Sequence, residues 1–269
     1  MENAIGEFLR ARRELVSPAD VDLAPGTRRR VAGLRREEVA LLAGVSSDYY
    51  VRLEQGRERH PSTQVVDALA RALDLDEDAT AYLHELAAPV PHRRALRAVT
   101  VSPTLLAMMA SWPATPAIVL DHCLTIRAAN DLGAALFAGH TYSTDLVRLV
   151  FLDPDAGEFY PEWERVAANT VAGLRAAAGL DPDDPQLIET VGELSVKSEE
   201  FRTLWARHDV RQKTRDTKRF RHRLVGELTL SFEGLTVNSA PGQQLVVYHA
   251  EEGSPSEAAL RLLGSLTQA

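Results

Sequence analysis

The pattern of apolar and polar positions changes character along the chain. In its first third, apolar residues recur every three to four positions, which predicts helices. Short apolar or β-branched runs over residues 116–128 and 218–249 predict strands, with helical spacing between them. The pattern thus predicts two domains: an all-α domain over 1–91, then a linker over 92–102 and an α+β domain over 103–269 that has an antiparallel sheet and inserted helices.

Two short helices joined by a tight turn are predicted between Arg35 and Arg57. In the first, Val39, Leu42 and Ala43 lie at i, i+3 and i+4, so we expect them on one buried face. Gly44 follows as a residue that adopts positive φ at a helix end. The turn is therefore short and sharp.

The second helix of this pair begins after Ser46, whose hydroxyl can cap it. Tyr50 and Leu53 are three apart and are expected to face the core, and Gly56 ends the helix. The residues on the opposite side are left for a partner, and they are Ser47, Asp48, Val51 and Arg52.

Three further helices complete a compact five-helix unit. The first covers Ile5 to Leu15, another follows Ser62, and the last follows Asp76. The connection from Val16 to Gly33 is long for such a unit. Its arginines, Arg28, Arg29 and Arg30, either contact phosphate or the minor groove, or belong to a solvated basic loop.

The segment RREEVALLAGVSSDYYVRLEQGR resembles the helix-turn-helix of the XRE/Cro family of repressors, a fold like that of lambda repressor. The resemblance covers roughly Ile5 to Leu86 and implies binding to a double-stranded DNA operator. By position it assigns base contacts to Ser47, Asp48 and Arg52, and phosphate contacts to Arg36, Arg57 and Arg59; Ser46 and Tyr49 complete the expected DNA-binding set. It also implies that Glu54 supports the fold by pairing with Arg13. An ordinary helical bundle is the alternative.

The second half of the chain alternates strands and helices. A hairpin is predicted from Pro116–Leu120 and Leu124–Ala128. Helices are expected over Asp131–Phe137, Thr144–Phe151, Pro161–Gly179, Pro185–Leu194 and Ser198–Arg207. The last elements are strands over Lys218–Leu224, Gly226–Asn238 with a break near Glu233 and Gly234, and Gln243–His249, and a helix over Ser256–Leu266.

This order of elements resembles a PAS-like sensor. A closer resemblance is to the ligand-binding domain of MmyB-like transcription regulators, and it covers about Pro103 to Gly253. The segments that carry it are FLDPDAGEFYPEWERVAANTVAGLR, the DDP at Asp183–Pro185, EFRTLWARHDV and VGELTLSFEGL. The resemblance implies that this domain binds a fatty acid or a similar apolar effector, and no other cofactor is expected.

Burial of an acyl chain calls for apolar walls, at about 0.8 kcal/mol per CH₂. The candidate apolar residues are Trp112, Phe137, Phe151, Phe159, Trp163, Trp205, Leu228 and Phe232. Strand alternation places Phe220, His222, Leu224, Leu228, Leu230 and Phe232 on one inward face. His222 could then meet a carboxylate, and Arg148 and Asn130 are the other polar candidates; plain core and structural hydrogen bonding are the alternatives for all of them.

Charge is divided unequally between the two halves. The net charge is −8, but from Arg28 to His60 arginines exceed acids by three, whereas from Ala98 onward acids exceed bases by seven. A local basic patch is enough for phosphate contact. A second basic cluster runs from Arg202 to Arg223, where alternation predicts that Arg219, Arg221 and Arg223 share a solvent face, as a solvated surface or a subunit contact.

Composition and motifs argue against several other classes. One cysteine, Cys123, excludes a disulfide framework, and no signal region or membrane span is found, so a cytoplasmic protein is expected. No catalytic motif and no metal spacing among the histidines is present, so neither an enzyme nor a metal site is expected. Haem ligation through His122, Cys123 or His222 stays open.

The resulting hypothesis is a homodimeric, ligand-responsive transcription regulator that places two recognition helices in successive major grooves. The alternative is an interaction protein whose helix-turn-helix serves for docking and whose second domain binds a protein partner and no small molecule. An acyl hydrolase would need a nucleophile and base that the sequence does not offer.

Overall fold

The described residues of the N-terminal part of the protein form five α-helices. In the computed structural model, residues 3–21, 23, 33–58, 60–88, 100–180, 183–207 and 215–267 are described. The helices are α1 (Ala4–Leu15), α2 (Arg36–Ala43), α3 (Ser47–Glu54), α4 (Thr63–Ala72) and α5 (Glu77–Ala87), with a 3₁₀ turn at Pro18–Val21. The predicted five-helix unit is confirmed.

The predicted caps set where these helices begin and end. The Ser46 hydroxyl accepts the Tyr49 N–H at 3.1 Å, and Ser62 and Asp76 cap α4 and α5 in the same way. Gly44 ends α2 with φ of 68°, a backbone conformation that strains any residue with a Cβ atom. The turn between α2 and α3 thus follows from local sequence.

The core of the five-helix unit gathers the apolar faces of all its helices. Val39, Tyr50 and Leu53 are fully buried, as predicted. Leu42 is not: its side of α2 faces solvent with 37% of the residue exposed, and Ala40 is buried in its place. The helix turns the Val39, Ala40 and Ala43 edge inward, so the expectation for Leu42 was wrong.

The second part of the chain is a mixed α+β domain. Its helices are α6 (Pro103–Ala110), α7 (Asp131–Leu136), α8 (Leu146–Leu152), α9 (Ala156–Phe159), α10 (Trp163–Leu180), α11 (Pro185–Lys197), α12 (Glu199–Ala206) and α13 (Pro255–Thr267). Its strands are β1 (Ala117–Leu120), β2 (Ile126–Ala129), β3 (Arg215–His222), β4 (Gly226–Thr236) and β5 (Gln244–His249). The predicted α+β class is confirmed, whereas α6 and α9 were not expected.

The strands form one antiparallel sheet in the order β2-β1-β5-β4-β3, with helices α7 to α12 inserted between β2 and β3. β4 runs through Glu233 and Gly234 without the expected break. Phe220 pairs with Leu228, and His222 pairs with Gly226. The side chains of Phe220 and His222 are both buried, so they face inward as predicted. Leu224 falls in the hairpin turn, where it is 67% exposed and leaves that inward face.

The sheet is covered on both sides over part of its width. Ile118 and Val246 point into the large core beneath α8 and α10, whereas Val119 and Leu245 pack against α6 through Met109. The polar side of β3 stays open to solvent, and Arg219 and Arg221 lie exposed there as predicted. Arg223 is exposed but lies beyond the end of β3, in the hairpin turn, where it binds Asp155 and the Gly139 carbonyl, so its place on the strand face was wrongly predicted.

The two domains meet where α5 packs against α10. The Tyr82 hydroxyl donates to the Arg175 carbonyl at 3.5 Å, and Ala176 joins the core of the helical domain. One helix of the α+β domain therefore contributes to both interiors.

Some predicted features lie outside the described residues. These are Arg28, Arg29, Arg30 and Arg59, and most of the proposed linker 92–102, so the domain boundaries stay a prediction. Among the described residues, no helix combines the length and the apolar character that crossing a membrane requires.

Candidate functional site

The N-terminal turn of α3 is an exposed, polar surface. Ser46, Ser47 and Asp48 are exposed there, next to the positive end of the helix dipole. Arg52 lies one turn further on, with its guanidinium 3.6 Å from the Asp48 carboxylate and 5.9 Å from the centre of the Tyr49 ring. These contacts are on the surface, so both side chains can exchange them for groups on a partner.

The opposite side of α3 is fixed to the domain. Tyr50 and Leu53 are fully buried, and the Glu54 side chain, 2% exposed, accepts from Arg13 Nε and Arg36 Nε, each at 2.6 Å. Arg13 also donates through Nη1 to the Leu34 carbonyl at 2.9 Å. The predicted pairing of Glu54 with Arg13 is confirmed.

The surroundings of Arg13 favour its charged form. Burial works against the Arg13 guanidinium, but the hydrogen bond and charge of Glu54 outweigh it and raise the pKa of Arg13 above its ordinary value. The Arg36 side chain pairs with Glu54, yet 49% of it is exposed, so a phosphate group can still reach it. Its expected phosphate contact remains a prediction, as does that of the exposed Arg57.

In the second domain the apolar candidates fall into three groups. Phe137, Leu228, Phe232, Phe151 and Trp163 pack into the large core. Trp205 joins Phe151 in an adjoining cluster between α8, α10 and α12. Trp112 lies on the other side of the sheet with α6, so the structure separates it from the rest.

Phe151 connects the first two groups. Its ring meets Trp163 at 6.1 Å and Phe201 at 5.2 Å, both edge to face, and Phe201 stacks on Trp205 at 5.6 Å. Phe151, Trp163 and Trp205 are each partly exposed. Phe137 is fully buried among Phe159, Phe220 and Tyr248, in the manner of a core residue.

The polar candidates already have partners in the protein. The Asn130 amide accepts from Ala117 N and Gly133 N and donates to the Met109, Trp112 and Thr115 carbonyls. His222 Nε2 lies 3.1 Å from the Ala135 carbonyl and its Nδ1 accepts from Leu224 N, which fits a neutral ring. Arg148 binds Asp145 and Glu193. These contacts favour the structural alternative for all three.

Side chains that could hold a metal also come together in two places in the described part of the chain, at Asp121, His122 and Cys123 and at His140, Asp153 and Asp155. Asp121 Oδ1 accepts from Cys123 N and Thr125 N, and His122 lies 3.2 Å from Asp184. Burial and then the nearby Asp121 raise the pKa of the Cys123 thiol to about 12, so it stays protonated. The sequence predicts neither group, although haem ligation through His122 or Cys123 is among its open alternatives. The hydrogen bonds in both groups suit structural roles.

Comparison with known families identifies both halves of the chain. Residues 101–263 match the model of the MmyB-like transcription regulator ligand binding domain. The chain belongs to this family of MmyB-like transcription regulators. Residues 4–83 match a helix-turn-helix domain model. No curated protein matches the chain significantly.

The family gives the two halves of this MmyB-like regulator their general roles. It is a DNA-binding transcription regulator with a ligand-binding domain, and its domains are those of regulators, not of an enzyme family. The resemblances to a helix-turn-helix repressor and to the MmyB-like domain are thereby confirmed.

Arg175 has a central position in the MmyB-like domain, and the sequence pattern does not point to it. Arg175 is buried on α10, its guanidinium lies 3.8 Å from the centre of the Trp205 ring, and its Nη2 donates to the Trp205 carbonyl. Nothing in the local sequence distinguishes it, because a lone arginine in an alanine-rich helix is usually exposed.

Proposed function

We propose that this protein binds a specific DNA operator as a homodimer and that an apolar small molecule, of the fatty-acid class, alters this binding. The observation that carries the DNA half is the two-sidedness of α3. Asp48 and Arg52 face solvent while Glu54 is held beneath them by Arg13 and Arg36. A helix fixed from behind presents its outer side chains with little loss of freedom on binding.

Roles on the DNA surface follow from side-chain chemistry. Arg52 forks onto guanine O6 and N7, Asp48 accepts from a cytosine amine, and Ser47 pairs with several bases. Ser46, Tyr49, Arg36, Arg57 and Arg59 complete the proposed surface by contacting the backbone or flanking positions. Two such helices related by a dimer axis would read half-sites about 34 Å apart.

The ligand half rests on the family and on the aromatic side chains between α8, α10 and α12. Phe151, Trp163 and Trp205 are apolar and partly exposed, and Phe151 contacts Trp163 directly and reaches Trp205 through Phe201, so a chain of methylene groups could replace these ring contacts. Because Asn130, Arg148 and His222 are engaged within the protein, we propose that burial of the acyl chain supplies most of the affinity.

Two experiments test these halves separately. Selection of bound sequences from random DNA should return a pseudo-palindrome; recovery of unrelated sequences would contradict specific binding. Denaturing extraction of the purified protein followed by mass spectrometry should release an acyl species. An empty extract, together with a copurifying protein, would favour the alternative of a protein partner.

A chain-length series sharpens the ligand test. Saturated fatty acids from C8 to C16, kept below their micelle concentration and followed by tryptophan fluorescence, should bind about fourfold more tightly for each CH₂ that becomes buried. Phe151→Leu should weaken this binding, whereas Val196→Ala at an exposed position of α11 should not. Affinity independent of chain length would contradict acyl burial.

A further inference from the structure

Helix α10 is part of two cores at once. Its Ala176 packs with the core of the helix-turn-helix domain, while Val171, Leu174 and Ala178 pack within the ligand-binding domain. Across the same contact, the Tyr82 hydroxyl donates to the Arg175 carbonyl. Burial raises the pKa of Tyr82 to about 12, so this phenol keeps its proton and remains a donor at neutral pH.

On the ligand-domain side, this contact continues into the aromatic cluster. The Arg175 guanidinium lies 3.8 Å from the centre of the Trp205 ring, and Trp205 stacks on Phe201 with an interplanar angle of 14°. Phe201 in turn meets Phe151. A molecule that entered between α8 and α12 would move Trp205, whose ring and carbonyl both contact Arg175 of α10.

On the DNA side, the contact continues to the recognition helix. The Tyr82 ring meets Phe8 of α1 edge to face at 5.3 Å, and α1 also carries Arg13, which holds Glu54 of α3. Packed side chains thus join α12, α10, α5, α1 and α3 without a break.

The contact between α5 and α10 leaves the DNA surface uncovered. The Asp48 side chain is 80% exposed and that of Arg52 is 48% exposed in the docked arrangement. The ligand-binding domain therefore does not act by covering the recognition helix, and what it can change is where that helix is held.

We propose that the seam between α5 and α10, backed by the Arg175–Trp205 stack, is the connection through which the ligand-binding domain sets the placement of the recognition helix. The inference rests on the proposed function, in that it supplies the route for the proposed response. It requires two positions of the helix-turn-helix domain, of which the docked one is competent for operator binding.

A pair of neighbouring substitutions tests this route in the full-length chain. Ala176→Glu places a charge in the seam, whereas Ala177→Glu makes the same change at a partly exposed position one residue along. Ala176→Glu should speed amide hydrogen exchange in α5 and weaken binding to the selected operator by about fivefold or more. Ala177→Glu should leave both near the wild-type values.

A milder pair guards against simple misfolding. Trp205→Ala removes the stack and should speed exchange in α5, although residue 205 is in another domain. Trp205→Phe keeps an aromatic face beneath Arg175 and should restore protection. A purely local role of Trp205 would change exchange only in α10 and α12.

The outcomes separate this inference from the proposed function. If amide hydrogen exchange in α5 is the same in the Ala176→Glu variant as in the wild type, the proposed role of the seam is wrong. If exchange rises but palmitate still shifts operator affinity as in the wild type, the seam is not the route and the inference fails. If palmitate shifts nothing in the wild type, the proposed ligand class fails, while exchange and operator affinity still decide the inference.

Discussion

Arg13 and Glu54 form a 2.6 Å ion pair inside the helix-turn-helix domain and join α1 to α3. The second carboxylate oxygen of Glu54 is taken by Arg36 from α2. One carboxylate thus ties three helices together from behind the recognition surface. Since its side chain is 2% exposed, it has little water to replace a lost partner.

Removing Arg13 should lower the stability of the helix-turn-helix domain. Arg13→Ala leaves the buried Glu54 charge without its buried partner and is expected to cost about 3 to 5 kcal/mol of unfolding free energy, measured by urea denaturation. Glu37→Ala, which removes an exposed carboxylate paired with Arg35, should cost less than about 1 kcal/mol. Similar losses for the two variants would show that burial adds nothing to the Arg13 pair.

Base reading and phosphate contact predict different losses. Arg52→Ala should weaken operator binding by about 1 to 3 kcal/mol and relax preference at one position. Arg57→Ala should weaken all sequences alike and lower the salt slope by about one. Binding curves on operator and random DNA at several salt concentrations measure both. Equal losses on the two DNAs for Arg52→Ala would refute its base contact.

Asn130 should prove to be a stability residue. Its amide caps α7 and also bonds the loop after α6 and the start of β1, and it is 8% exposed. Asn130→Ala is expected to cost about 2 to 4 kcal/mol, because it removes a cap and strands buried carbonyls. Ser62→Ala removes only a cap and should cost about 1 kcal/mol. An Asn130 variant of normal stability that loses only fatty-acid binding would restore its predicted ligand role.

The ligand-binding domain should lose stability in mild acid through His222. Burial lowers the pKa of His222 below its ordinary value, and the contact with the Ala135 carbonyl offsets this only in part. The unfolded chain therefore binds the proton first. The contribution of His222 to the free energy of unfolding is fully present above the pKa of about 6.5 that histidine has in the unfolded chain. It is lost as the pH falls toward the lower pKa of His222 in the folded protein.

Thermal unfolding measured between pH 7.5 and 5.0 checks this sign. The wild type should lose stability over that window, and His222→Gln should lose less because the titrating group is gone. His249→Gln, at an exposed position of β5, should follow the wild type. Stability that rises as pH falls would contradict the neutral buried ring.

Local signals were enough for the helix ends. Ser46, Ser62 and Asp76 each cap the helix that directly follows them in the sequence. The start of each helix can therefore be predicted from a few neighbouring residues. Leu42 shows the limit, because which edge of α2 turns inward depends on α4, which packs against it. Helix α6 was missed for a similar reason: its apolar run finds a partner only when β1 and β5 present their outer face.

The candidate site was harder to predict where partners are distant in sequence. Alternation placed His222 inward correctly, but the carbonyl that it meets belongs to Ala135, 87 residues away. Trp112 shares its chemistry with Trp163, and only the folded sheet puts them on opposite sides. Arg175 lacked any local mark, since its importance comes from two domains meeting at one helix.

The position of β3 at the edge of the sheet bears on how two copies of the protein can associate. Its exposed side chains include Arg219 and Arg221, whose guanidinium groups lie 3.8 and 3.5 Å from Glu227 on β4. If two such edges approached to extend the sheet, their arginines would come together and repel, which is how natural edge strands resist aggregation. A dimer of this regulator is therefore better built from its helical surfaces than by sheet extension at β3.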